Sequence, residues 1–175
     1  MLHITLLICT GKRGVPMSQN LMQETKQLLN HELPQQAGIH VTAGEDEASL
    51  RDMAELLLDY DMDPGERRII LGCYWLLLKA YRSHDHVHHA EVAGKAVLDG
   101  DFLLSFYLQF AVRHGFVDLV GDLARTNKRI QIRLAEGSRS ATSQLHQRLT
   151  RFIAKRYSRR YATTQRFKQV TYDVI

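Results

Sequence analysis

Proline and cysteine are scarce in this chain, at three and two residues in 175. With so few prolines, and with apolar residues clustered at helical spacing, an all-α domain is favoured over a β-rich one. The cysteines, Cys9 and Cys73, give no disulfide framework. Cys73 lies in an apolar run, where a free thiol behaves as a small hydrophobe, which fits a reducing cytoplasm. No run approaches the roughly 18 uninterrupted apolar residues that span a bilayer. The apolar start, Met1 to Cys9, has no basic residue before it, and Lys12 and Arg13 follow it instead, the reverse of a signal peptide. Met17 is an alternative start. Residues 1–16 are therefore set aside as an N-terminal extension, and residues 17–175 are expected to form one α-helical domain.

A hydrophobic content of 45% is enough for a real core. The net charge of +4 is modest but uneven: most acids precede Asp122, and the stretch from Arg125 to Lys168 is strongly basic. Such asymmetry suits an anionic partner, whether an acidic protein face, a diphosphate, a membrane surface or nucleic acid.

Six or seven helices are expected. The first covers residues 18–33 and stops at Pro34. Thr42 and Glu45 have capping-box spacing for a second, whose buried stripe is Leu50, Met53, Ala54 and Leu57. Asp63-Pro64-Gly65-Glu66 is a stronger start signal. The helix after it, from Arg67 to about Ser83, is apolar nearly all round and should be central. A fourth is expected to begin near Asp101 and to stop at His114-Gly115. A fifth runs from Val117 to Gly137, and the last from about Thr142 to Tyr161.

The cluster His84, Asp85, His86, His88 and His89 falls at the end of the central helix, where the dipole favours imidazolium. On a helix, His84 and His88 stand one turn apart, and two imidazoles so placed can chelate zinc. Here Asp85 would replace the glutamate of a His-Glu-x-x-His protease, and no third ligand follows at a familiar spacing. A His-x-His-x-Asp-His hydrolase motif fails, because His88 occupies the place of its aspartate. A helical phosphohydrolase of the His-Asp type would use His84-Asp85, with His40 and Asp118 or Asp122 nominated as partners. The alternative metal set is thus His84, Asp85 and His88. The plainer account is a solvated, histidine-rich helix end.

A larger part of the chain follows a family pattern. Leu76-Leu-Leu-Lys-Ala-Tyr-Arg-Ser-His84-Asp85-His86-Val-His88-His89 resembles the helix of trans-prenyltransferases (isoprenoid synthases) that ends in His-Asp-Asp-x-x-Asp. Ala96-Val-Leu-Asp-Gly100-Asp101-Phe102-Leu103 stands where that family has Ala-x-Leu-x-Gly-Asp-Phe-Leu. Within the family, the chain is similar to the small, component I subunits of two-component heptaprenyl or hexaprenyl diphosphate synthases. Leu123 to Leu134 is similar to their Ile-Asn-Glu-x-Lys helix but departs from it at Arg129 and Gln131. The resemblance covers residues 45–135 or so and rests on short patterns.

The resemblance implies an isoprenoid-synthase-like helical bundle that has lost its catalysis. Asp85, His86 and His89 would be a degenerate aspartate-rich motif, with histidines in place of the hard oxygen ligands that magnesium prefers. No second aspartate cluster follows. The chain would have no catalytic residue and would bind no cofactor by itself. A large catalytic subunit would supply magnesium and extend farnesyl diphosphate with isopentenyl diphosphate for the menaquinone side chain. Phe102, Phe106, Tyr107 and Phe110 would contribute to the subunit interface and help set product length. The basic helix carrying Arg148, Arg151, Lys155, Arg156, Arg159 and Arg160 reads as a solvated face. An acidic partner surface or peripheral membrane contact would also suit it. It carries no recognition-helix signature and no basic–aromatic interleaving, so nucleic acid is not expected as a partner. A basic helical adaptor is the competing non-enzymatic reading.

Overall fold

Ten consecutive residues, Ile69 to Leu78, are all buried, so the helix bearing them must be surrounded. The computed structural model describes residues 15–85, 93–137 and 142–159. Among these it is all helical, with α1 (Met17–Glu32), α2 (Glu47–Leu58), α3 (Pro64–Asp85), α4 (Ala93–Arg113), α5 (Val117–Ala135) and α6 (Thr142–Arg156). Helix α3 touches each of the other five, and one hydrophobic cluster joins them all. The all-α architecture and the central position of the apolar helix match the expectation.

Helix α3 starts where the sequence signal places it. The Asp63 carboxylate accepts the Gly65 N–H at 2.6 Å, and Pro64 follows at the first helical position. Helix α4 ends at Gly115, whose φ is 81°. The Phe116 N–H bonds the Ala111 carbonyl at 2.8 Å and the Gly115 N–H bonds that of Val112 at 3.1 Å, the pairing of a Schellman motif. Helices α3 and α4 run antiparallel: Gly72 faces Phe110 at one end, and His84 faces Gly100 at the other. Helices α5 and α6 are also antiparallel, tied by Arg148–Asp122 at 2.5 Å and by Arg156–Asp118.

Three boundaries differ from expectation, each for a tertiary reason. Helix α4 begins at Ala93, eight residues before Asp101, and passes straight through Gly100. A Cβ on Gly100 would overlap the His84 imidazole, so this glycine permits a close helix approach instead of opening a helix. No capping box forms ahead of α2. Glu45 and Asp46 lie in a short 3₁₀ turn and turn their carboxylates to Arg82 of α3, with Arg82 Nε to Asp46 Oδ1 at 2.5 Å. Helix α6 stops at Arg156 because the chain then pairs back: the Ser158 carbonyl accepts the Asp61 N–H at 2.8 Å, beside the bridge between Tyr60 and Arg159.

The segment between α1 and α2 is held by side chains. Asn30 clamps Val41 with both amide atoms, accepting its N–H at 2.9 Å and donating to its carbonyl at 3.2 Å. The buried Trp75 indole reaches the Thr42 carbonyl at 3.4 Å. Arg67, only 6% exposed, donates to the carbonyls of Leu57 and Tyr60 at 3.2 and 3.1 Å. It thus adds a charged donor to backbone carbonyls at the C-terminal end of α2, of which that of Leu57 also accepts the Tyr60 N–H at 3.4 Å.

Candidate functional site

The end of α3 and the middle of α4 bring together the two pieces of sequence on which the family resemblance rests. The His84 imidazole lies over Gly100, with Nε2 3.3 Å from Asp101 Oδ1. The His84 side chain is one-fifth exposed and that of Asp101 mostly exposed. Asp85 is half-buried at the last position of α3. His86, His88 and His89 lie outside the described residues, so the degenerate motif is seen here only through Asp85, and the alternative metal set only through His84 and Asp85.

Among the described residues no three His, Cys, Asp or Glu side chains converge on a point that could hold a metal ion. The acids nominated to join His84-Asp85 are engaged elsewhere, Asp118 with Arg156 and Asp122 with Arg148. His40 is exposed in the segment between α1 and α2. Magnesium prefers hard oxygen ligands, and among the described residues this corner offers the Asp85 and Asp101 carboxylates beside an imidazole, not the aspartate cluster of a catalytic magnesium–diphosphate site.

Of the four rings expected at an interface, Phe106, Tyr107 and Phe110 are at most 3% exposed and pack within the chain's own core. Phe102 is half-buried and stacks on Phe106 with centroids 6.2 Å apart. The aromatic side of α4 therefore faces inward, against α3. The opposite side of the same helix leaves Leu98, Leu108 and Val112 at 70%, 46% and 54% exposure, with Val97 beside Leu98. These positions follow helical phase along one outer row. In the sequence this row is overshadowed by the stronger aromatic stripe of Phe102, Phe106, Tyr107 and Phe110 on the same helix.

Polar groups inside the core are few. The Tyr81 hydroxyl donates to Asn127 Oδ1 at 2.6 Å, and the Tyr74 hydroxyl lies 3.2 Å from His146 Nδ1. Burial pushes the Tyr74 phenol up to about 12 and raises those of Tyr81 and Tyr107 further. The Cys73 thiol is likewise raised by burial and so is held in its unreactive, protonated form.

The basic stripe expected on α6 divides in two. Arg156 is built into the fold, its guanidinium 5.4 Å from the Phe116 ring centroid and 5.9 Å from that of Phe152, while it pairs with Asp118. Arg159 similarly lies over Tyr60 at 5.7 Å. Arg151 and Lys155 are exposed, and Arg160 lies outside the described residues. On α5, Arg125, Arg129 and Arg133 recur every fourth residue and face the same groove as Arg148 and Arg151. The sequence shows the whole stretch from Arg125 to Lys168 as basic, and the packing of α5 on α6 decides which of these arginines share a groove.

Comparison with protein-family models, with curated proteins and with solved structures gave no match to this chain. Among the described residues no helix is long and apolar enough to cross a membrane.

Proposed function

We propose that this chain is the non-catalytic subunit of a two-component long-chain trans-polyprenyl diphosphate synthase, acting in the cytoplasm in menaquinone side-chain synthesis. In this reading a large partner supplies both aspartate clusters, the magnesium and the chemistry on farnesyl and isopentenyl diphosphates. The present chain supplies shape, completing a helical wall and influencing product length. The observation that carries the reading is the outer row of α4, where Leu98, Leu108 and Val112 stand exposed on the helix through which the resemblance implies subunit contact. An exposed apolar row of this kind supplies area for the apolar core of a protein interface. The meeting of His84 with Gly100 and Asp101 adds support, since both halves of the resembling sequence then form one local unit.

The test is reconstitution. The chain alone should elongate nothing. Mixed with a large subunit bearing both aspartate clusters, it should form a stable complex and restore long-chain product from isotopically labelled isopentenyl diphosphate. Leu108→Glu with Val112→Glu should abolish the complex while far-ultraviolet circular dichroism stays that of the parent. Elongation by the chain alone, or a complex indifferent to that double substitution, would overturn the proposal.

A further inference from the structure

The α5–α6 groove is lined by five arginines, and among the described residues only Arg148 of these has an acid, Asp122, within ion-pair distance. Arg125, Arg129, Arg133 and Arg151 are exposed and have no carboxylate partner among the described residues. On α5 the three arginines stand one turn apart, so like charges repeat about every 6 Å along the groove. Across residues 117–159, basic residues outnumber acids by ten to three. The groove is open and holds about 710 Å³, far more than one small anion requires.

We propose that this groove binds the sugar–phosphate backbone of nucleic acid without reading sequence. Guanidinium forks match phosphate oxygens in a bidentate way. Thr126, Gln144 and Gln147, which also line the groove, are among the side-chain types that hydrogen-bond phosphate and sugar. No aromatic residue lines it, which removes base stacking and leaves only backbone contact. A protein partner is the less favoured occupant because the groove offers no aromatic or large apolar side chain to form the dry core of an interface. Insertion into a membrane is disfavoured because the lining offers no apolar face to bury. The sequence, lacking a base-reading signature, argued against nucleic acid; the groove reverses that expectation only for contact with the backbone, which needs no such signature. The inference does not depend on the partner-subunit reading, which is tested by prenyl elongation.

The experiment is fluorescence anisotropy of the full chain with a labelled mixed-sequence oligonucleotide of about 20 nucleotides, single-stranded and duplex. With four guanidinium groups engaged, the logarithm of the binding constant should fall with log salt at a slope of about −3.6 on duplex and about −2.8 on single strand. That corresponds to a loss of about 50- to 150-fold in affinity between about 50 and 200 mM salt. The double variant R129Q/R133Q should flatten the duplex slope by about 1.8. R51Q on α2, where the arginine pairs with Glu47, removes a charge elsewhere and should leave the slope in place. Circular dichroism checks that each variant is folded. The proposal is overturned if no complex forms at the lowest salt, or if the groove variant and R51Q behave alike. It is also overturned if polyglutamate displaces the oligonucleotide as well as unlabelled oligonucleotide does. Co-sedimentation with phosphatidylserine vesicles but no oligonucleotide binding would assign the groove to lipid and overturn it too.

Discussion

Two adjacent arginines provide a direct test of how this fold is held. Arg67 is buried and donates to the carbonyls of Leu57 and Tyr60. Its neighbour Arg68 is about two-fifths exposed and lies 3.7 Å from Glu24, itself similarly exposed. A cation in the first turns of α3 is on the unfavourable side of that helix's own dipole, but Arg67 points at the negative end of α2, which favours it. Arg67→Ala removes two hydrogen bonds from a charged donor, each contributing about 1.5–3 kcal/mol, and takes this donor from the Tyr60 carbonyl while Leu57 keeps the Tyr60 N–H. The expected loss is about 3–5 kcal/mol, a large share of the ~5–15 kcal/mol total of a typical domain. Arg67→Met keeps the apolar stem and should recover only the packing part of that loss. Arg68→Ala should stay within about 0.5 kcal/mol of the parent, as exposed pairs do. Urea unfolding followed by far-ultraviolet circular dichroism, with linear extrapolation, measures all three. The reasoning fails if Arg67→Ala falls within about 1 kcal/mol of the parent or matches Arg68→Ala.

Gly100→Ala alone should be close to neutral, because a helix-propensity gain of about 1 kcal/mol offsets the displacement of His84 from its seat. In a His84→Ala background the same change should stabilise, and a double-mutant cycle with no coupling would refute the close approach. Tyr74 and Tyr157 have phenols raised by burial from the ordinary 10.0 to about 12. Their contribution to stability is therefore full below pH 10 and is lost as pH rises from there through about 12. A denaturation midpoint that stays flat across that window would contradict it. Cys73, fully buried, should resist alkylation in the native protein and react once urea unfolds it, as peptide mapping would show. Rapid native-state labelling at Cys73 would mean that α3 is not enclosed.

Much of the helix inventory was legible because its signals are local. The Asp63-Pro64 start, the Gly115 stop and the all-apolar run of α3 depend on capping geometry, φ freedom and helical period, which a short window of sequence contains. Gly100 misled because a glycine before Asp-Phe looks like a boundary, whereas its role is set by a side chain sixteen positions earlier. The aromatic row of α4 was visible, but not which way it faces. Only the packing on α3 turned Phe106, Tyr107 and Phe110 inward and left Leu98, Leu108 and Val112 outside. The arginines of α5 carried no special spacing relation to those of α6 until the two helices ran antiparallel.

Sequence alone determined the all-helical character of this chain and which helix would be its axis, since both follow from residue type and from period along a single segment. The tertiary structure decided which of two neighbouring arginines is buried, which glycine marks a contact and which cations share a groove. Those outcomes depend on distances between segments far apart in the chain. A residue's type fixes what it can bond to, and the fold fixes what lies within its reach.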